Sequence, residues 1–338
     1  MQSGQRIWHG TNMTNYWNNR RVVVTGGAGF VGIQLVSELL KAGASVTVLD
    51  DFSRGSNKVS GADYIVGDAT NKGSCRFAFR GGAVRGVVVD VVFNLAATVA
   101  GVLHNMNHHH DMFIENVVLQ TAPLAVAEEL GVPVFVQTSS VCVYDPANNH
   151  PAYEGHIGSV PHAANAGYSW AKRMGERAVH WSKIERAVIV RPSNIFGPYD
   201  YTDERAHVIP ALIRKVVHDP VVHLYGHKST VREFIYSNDV ALGMMAAAEH
   251  GLNKMAYNIG CHNDSDNVWT IEDLVDAIEF SYGTVKEHVW HADVGGGDPL
   301  RWSDCSYARK DLGWQHKVGL HEGLRETLKW YIDEGLDG

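Results

Sequence analysis

A chain of 338 residues, 45% of them hydrophobic, can bury a substantial core, and its length points to two domains or one large α/β unit. Its formal charge of −8 and the lack of a basic run give no electrostatic reason to expect nucleic acid or an anionic membrane surface, and no apolar stretch is long enough to span a bilayer. The cysteines Cys75, Cys142, Cys261 and Cys305 lack metal or disulfide-framework spacing, which fits reduced thiols in the cytoplasm and leaves small-molecule chemistry by elimination.

Residues 1–19 carry Trp8, His9, Gly10 and several asparagines without an apolar h-region, and read as a flexible extension rather than a secretory signal. Arg21 to Thr25 is a short β-branched run. It ends in Gly26-Gly27-Ala28-Gly29-Phe30-Val31-Gly32, and helical periodicity follows through Leu35, Leu39 and Leu40. Gly26, Gly29 and Gly32 keep the G-x-x-G-x-x-G spacing that lets a backbone turn tightly, approach a pyrophosphate and pack a helix on a sheet. A second strand, Ser45 to Leu49, ends at Asp50, where a carboxylate can accept hydrogen bonds from an adenine ribose and would repel a 2′-phosphate. NAD(H) is therefore favoured, while Arg54, able to swing toward such a phosphate, leaves NADP(H) open. Asp68, after the strand Tyr64 to Val66, either meets the adenine or caps a turn.

Further strands are expected at Val87 to Asn94, Val134 to Thr138 and Ala187 to Val190, with helices at Asp111 to Leu130 and Tyr168 to Ser182. His104 and the triplet His108, His109, His110 lack the cysteine or carboxylate partners of a metal site and read as a polar loop near the substrate. No metal is expected. Alternating strands and helices predict an α/β fold: a Rossmann-type, doubly wound parallel sheet with a smaller C-terminal substrate-binding lobe. The nucleotide-binding domain is placed at 20–192 with a returning segment at about 231–262. The lobe occupies most of 193–338, where Pro198, Pro210 and Pro220 break the pattern.

Tyr168 and Lys172, four residues apart on a predicted helix, share one face. A phenol titrates near ~10, and a neighbouring ammonium that favours the phenolate can bring it toward working pH as an acid/base for alcohol and ketone chemistry. Ser140 and Cys142, two apart on an extended segment, point to one side and can face the same substrate. Taken singly, Cys142 would be a small buried hydrophobe, and His207, before Val-Ile-Pro, a structural residue.

Together these residues resemble the extended short-chain dehydrogenase/reductase family, the nucleotide-sugar epimerases, dehydratases and reductases. The resemblance spans about residues 20 to 335. It rests on the glycine loop, Asn94-Leu95-Ala96-Ala97, Ser140, Tyr168 with Lys172, Arg191-Pro192-Ser193-Asn194, Arg232-Glu233-Phe234 and Leu312-Gly313-Trp314. Three further stretches are similar to a branch that epimerises C3 and C5 of a GDP-linked 4-keto-6-deoxymannose and then reduces C4: Ala97 to Asn116, Ser140 to Tyr144, and His207 to Ile213.

The resemblance implies that Ser140, Tyr168 and Lys172 form a hydride-transfer triad, with Cys142 and His207 as the epimerising acid/base pair. It implies cofactor contacts from Gly26, Gly29, Phe30, Val31 and Gly32 in the glycine loop, and from Asp50, Asp51, Arg54, Asp68 and Ala69 after the next strands. Leu95, Ala96, Ala97, Asn116 and Lys172 complete that set. Asn194, Lys215 and Arg232 fall at substrate-contact positions, Arg301 becomes a diphosphate partner, and the two long helices pair in a homodimer. Two departures matter. The branch uses NADPH without an acidic residue after the second strand, whereas this chain has Asp50; and Asp145 replaces a proline after Tyr144, so the local loop should differ. A redox-neutral epimerase that retains NAD would suit Asp50 but not His207. A 4,6-dehydratase would want an acid pair at Val141 and Cys142. A non-catalytic nucleotide sensor would be expected to lose Tyr168 or Lys172, and both are present.

Overall fold

The computed structural model describes residues 16–336 apart from 56, 83–86, 148–149, 201, 204–205, 262–266 and 294–298. In chain order its first part runs β1 (Arg21–Thr25), α1 (Phe30–Lys41), β2 (Ser45–Asp50), β3 (Asp63–Val66), α2 (Lys72–Phe79), β4 (Val91–Asn94), α3 (Val102–Asn107), α4 (His109–Leu130), β5 (Val134–Thr138), α5 (Ala166–Trp181) and β6 (Arg186–Pro192). Then come β7 (Asn194–Phe196), α6 (Val208–His218), β8 (Val221–Tyr225), β9 (Val231–Tyr236), α7 (Ser237–His250), β10 (Ala256–Ile259), β11 (Val268–Thr270), α8 (Ile271–Tyr282), β12 (Glu287–His291), β13 (Leu300–Arg301), α9 (Ser306–Leu312) and α10 (Leu320–Asp333).

The main sheet has seven parallel strands in the order β10-β6-β5-β4-β1-β2-β3. Helices cover both faces, so the strands read as nearly continuous apolar runs rather than alternating ones. Val22 and Val24 enter one core with Leu35, Leu39, Met244 and Trp314. Val23 enters the other with Phe79, Leu124, Phe135 and Val179. The strand order reverses between β1 and β4, which opens a crevice at the carboxyl ends of the strands. A third core, under α6, α8 and α10, belongs to the lobe. The lobe's small sheets are β11-β9-β13, with β7 on β9, and the pair β12-β8.

Several boundaries differ from those read in the sequence. Residues 1–15 lie outside the described residues, but Tyr16 to Asn19 belong to the domain. Trp17 is fully buried, 6.0 Å from the Phe93 ring, and the Tyr16 hydroxyl accepts from Arg186 and donates to the Ala248 carbonyl. An indole of roughly 200 Å² buried at about 25 cal/mol per Å² contributes on the order of 5 kcal/mol, enough to hold a segment without periodicity of its own. The returning segment is shorter than 231–262, because β9 pairs only with lobe strands while α7 packs on α1 and β10 adds to the main sheet. Cys305, Ala308, Leu312 and Trp314 also return to the main core. The fourth strand starts at Val91, not Val87. His104 to His110 is not a loop: His104 lies on α3, His108 is the single residue that joins α3 to α4, and His109 and His110 open α4, with the His104 and His108 rings stacked at 4.1 Å.

Candidate active site

The glycine turn follows from steric need. Gly26 has a φ of +70°, and a Cβ there would stand 2.8 Å from the Ala96 nitrogen; at Gly32 it would meet the Gly26 carbonyl oxygen at 2.3 Å. Helix α1 starts from Gly29 without a side-chain cap, so its first-turn N–H groups, Phe30 and Val31 among them, are available to an anion. Asp50 accepts from the Ala28 N–H at 2.9 Å and the Phe52 N–H at 2.8 Å, which ties the glycine turn to the end of β2. Burial raises its carboxyl above the usual range against the pull of those two bonds. Each oxygen keeps a lone pair for a ribose hydroxyl. These residues fit a dinucleotide.

Of the other predicted cofactor positions, Leu95 and Ala96 stand against Gly26, and the rest make contacts of their own. Leu95 and Ala96 donate their N–H groups to Thr25, and Ala97 follows them out of β4. Asn116 is fully buried and spends its amide on both backbone groups of Thr98 and on the Met112 carbonyl, so it holds the loop after β4 in place. Arg54 reaches across to the Val99 carbonyl at 3.1 Å. Asp51 closes a turn onto Ser53, Asp68 closes one onto Thr70, and the buried Ala69 accepts from the Cys75 thiol.

Beyond β5 the chain turns at Ser140, whose hydroxyl accepts from the Cys142 N–H at 3.1 Å and caps a 3-10 turn over Val141–Val143. Ser140 also hydrogen-bonds the Tyr168 phenol. Helix α5 brings Tyr168 and Lys172 there by packing closely on α4: a Cβ on Gly167 would lie 2.2 Å from the His109 carbonyl oxygen. The Lys172 ammonium sits 5.5 Å from the centre of the Tyr168 ring and donates to the Thr138 carbonyl at 2.8 Å. Burial drives Lys172 down to about 7 against the pull of Glu176 and Cys142. Burial likewise pushes the Tyr168 phenol up, Cys142 adds to the rise, and the Ser140 bond opposes it. The phenol is thus raised where a lowering beside an ammonium was expected, and its own burial is the main cause. A buried pair fixes the frame: Arg191 grips Glu176 at 2.7 and 2.8 Å and meets the Tyr144 hydroxyl at 3.0 Å. Asp145 is part of the same frame. It accepts from Ala147, Ser159 and Val160, which hold its carboxyl far below the usual range and anchor the loop that a proline would have shaped differently.

Cys142 is half-buried, and Arg301 Nη1 donates to its sulfur at 3.2 Å. His207 stands at the N-cap of α6, with its ring 6.4 Å from Phe30 of the glycine turn. Its Nδ1 meets Asp200 Oδ1 at 2.9 Å and Oδ2 at 3.1 Å. Burial would lower the imidazole, but the buried Asp200 outweighs it and raises the proton affinity above the ordinary value. Arg301 and Arg232 are register partners on β13 and β9, which sets two guanidinium groups on adjacent strands. Arg232 also donates to the Val231 carbonyl, Asn194 donates to the Glu233 carbonyl at 2.8 Å, and Lys215 donates to the His223 carbonyl at 2.6 Å beside the Tyr225 ring. The sequence reading missed Asp200. Only the short Gly-Pro-Tyr-Asp turn before His207 carried any signal for it.

With this geometry in view, the NAD dependent epimerase/dehydratase family matches residues 22–260. The chain belongs to this family. Among its relatives, a probable GDP-L-fucose synthase of Drosophila melanogaster is 30% identical over 332 residues, covering 93% of this chain and 98% of that protein. A probable GDP-L-fucose synthase 1 of Oryza sativa subsp. japonica is 28% identical, covering 93% and 92%. A dTDP-glucose 4,6-dehydratase of Shigella flexneri is 27% identical, covering 92% of each chain. In structure, an epimerase of Methanothermobacter thermautotrophicus superposes with a TM-score of 0.86 at 24% identity over 97% of this chain and 96% of its own. The UDP-glucose 4-epimerase of Thermotoga maritima gives 0.83 at 24% over 93% and 99%. These likenesses confirm the fold. The family is one of NAD-dependent nucleotide-sugar epimerases, dehydratases and reductases, so the chain is an enzyme. Among the described residues no helix is long and apolar enough to cross a membrane.

Proposed function

We propose that this family member epimerises C3 and C5 of a nucleotide-linked 4-keto-6-deoxyhexose, GDP-linked in the first instance, and then reduces C4. One observation carries the reading: a half-buried thiol, Cys142, shares the Ser140 turn with Tyr168 and Lys172 and is held by Arg301. Ser140 and Tyr168 donate to the C4 oxygen, and this polarisation acidifies the protons on C3 and C5. Cys142 and His207 remove and return those protons. Asp200 occupies His207 Nδ1, which leaves Nε2 as the working nitrogen. NAD(H), when bound, supplies the hydride for C4. Tyr168 delivers the proton to the oxygen, Lys172 supports the phenol, and Arg232 with Arg301 balances the two phosphates.

Asp50 favours a second reading, an epimerase that retains NAD and leaves no net redox change. Incubation with GDP-4-keto-6-deoxymannose and NADH or NADPH, and separately with a GDP-hexose that carries a C4 alcohol and no added reductant, separates the two. Consumption of reduced cofactor with an epimerised C4 alcohol as product from the ketone supports the first reading, and epimerisation of the alcohol with no net redox change supports the second. Both substrates recovered unchanged at C3 and C5 contradict both. Ile114 and Val118 on α4, and Met174 and Trp181 on α5, are exposed apolar side chains that suit pairing in a cytoplasmic homodimer. Light scattering at micromolar concentration should give twice the chain mass; a monomer refutes the pairing.

A further inference from the structure

The loop that follows β2 folds back on the domain. Asp50 takes the Phe52 N–H at 2.8 Å, and Phe52 holds a φ of +57°, a left-handed conformation that a bulky side chain seldom adopts. Its ring lies 6.0 Å from that of Tyr64 on β3, with the Lys58 ammonium 5.1 Å from one ring centre and 5.2 Å from the other. These contacts turn the chain toward the glycine turn: a Cβ on Gly55 would lie 3.9 Å from the Ala28 carbonyl oxygen. From this position the half-buried Arg54 reaches the Val99 carbonyl at 3.1 Å.

Val99 belongs to the opposite bank. In the strand order β4-β1-β2, the loops after β2 and β4 flank the glycine turn that leaves β1, so the Arg54–Val99 bond spans the crevice at the carboxyl edge of the sheet. The bank it grips is firm. Asn116 binds both backbone groups of Thr98, and Asn105 donates to the Ala100 and Gly101 carbonyls. A Cβ on Gly101 would stand 3.1 Å from the Ala206 carbonyl oxygen, next to His207, so the same bank also abuts the lobe. The guanidinium is close enough to His207 to oppose protonation of its ring, which sets it at the cleft rather than on the outer surface.

We propose that Arg54 is a strap across the cofactor cleft: its bond to Val99 opens to admit NAD(H), closes over it, and limits the rate at which it leaves. Asp50 and the first turn of α1 mark where a ribose and a diphosphate fit, and both adjoin the glycine turn that the strap crosses. A bond from a guanidinium to a carbonyl is charge-assisted, strong enough to slow release yet weak enough to break at each exchange. The strap presupposes the dinucleotide reading of the glycine turn and serves either order of reaction.

Stopped-flow fluorescence of NADH follows both directions: entry on mixing with the protein, and release when excess NAD is added to the loaded protein. Arg54→Met should speed release about tenfold, the effect of one lost charge-assisted hydrogen bond, and should also speed entry, so that the Kd rises by less than the release rate. Arg54→Lys keeps the charge without the fork of guanidinium donors, and should release NADH nearly as fast as Arg54→Met. Release unchanged in both variants overturns the strap. So does faster release with entry unchanged or slowed, which would make Arg54 an ordinary contact to the bound cofactor. An Arg54→Lys protein that behaves as the unaltered one also overturns it, since charge alone would then suffice. Arg54→Lys carries the test if Arg54→Met fails to fold. An unaltered protein that does not bind NADH overturns the dinucleotide reading itself, whereas NADH that binds and leaves at a rate indifferent to residue 54 overturns the strap alone.

Discussion

Lys172, on α5 of the sheet domain, and His207, at the start of α6 in the lobe, are both basic groups removed from water, yet their proton affinities move in opposite directions. Lys172 is almost fully buried among a carbonyl, an amide and a phenol, and burial carries it down to about 7. His207 is half-buried, and a carboxylate with almost no solvent exposure, Asp200, sits 2.9 Å from its ring and reverses the effect of burial. Desolvation carries the lysine down toward neutrality, whereas a dedicated carboxylate raises the proton affinity of the imidazole in spite of burial. The sheet side of the cleft is thereby suited to a phenol–lysine relay at a ketone oxygen, and the lobe side to proton return at ring carbons.

The largest expected effect comes from breaking the sheet side. Tyr168→Phe should lower hydride transfer by about a thousandfold, the range of a lost general acid/base, while the affinity for NAD(H) measured by calorimetry changes by no more than about twofold. Substantial turnover would remove the tyrosine from its role. Next is the lobe side: Asp200→Asn should slow ring-proton exchange by about 10- to 100-fold and shift its pH dependence to lower pH, because the imidazole loses the partner that raises its affinity. An unshifted profile would show that Asp200 is only structural.

Lys172 also carries a stability consequence with a definite sign. Its folded pKa lies below the unfolded value near ~10.4, so the unfolded chain binds more protons between about 7 and ~10.4. The burial penalty is fully present below about 7 and disappears as pH rises through that window. Lys172→Met should therefore be inactive yet more stable at neutral pH, on the order of 2 kcal/mol, with a flatter dependence of stability on alkaline pH. A less stable variant would contradict the depressed lysine. The smallest effect concerns the cofactor: calorimetry should show NAD(H) binding about tenfold tighter than NADP(H), since Asp50 sets like charges together at a 2′-phosphate. The reverse order would mean that Arg54 governs the choice.

What was legible in the sequence was carried by short-range spacing. Gly26, Gly29 and Gly32, Asp50 at a strand end, and Tyr168 with Lys172 on one helix each declare themselves within a few residues, and the order of strands and helices gives the doubly wound sheet. Asp200 was silent because an aspartate in a proline-containing turn usually closes that turn, and its approach to His207 depends on how the lobe folds back. Gln120 is far from Lys172 in the sequence, and the two meet only after α4 and α5 pack. The rise of the Tyr168 phenol escaped the sequence for the same reason, since burial is tertiary. Val231–Tyr236 has the composition of any buried strand, so only its pairing with β7, β11 and β13 shows that it belongs to the lobe.

The central claim is that one cleft holds two separable proton chemistries, and hydrogen exchange tests it most directly. Incubated in deuterated water with GDP-4-keto-6-deoxymannose, the unaltered protein should place deuterium at C3 and C5. Cys142→Ser and His207→Asn should each suppress that exchange while ketone reduction by Ser140, Tyr168 and Lys172 persists. A protein that reduces the ketone yet leaves both ring carbons free of deuterium would be a simple ketoreductase, and the epimerising role of Cys142 and His207 would be wrong.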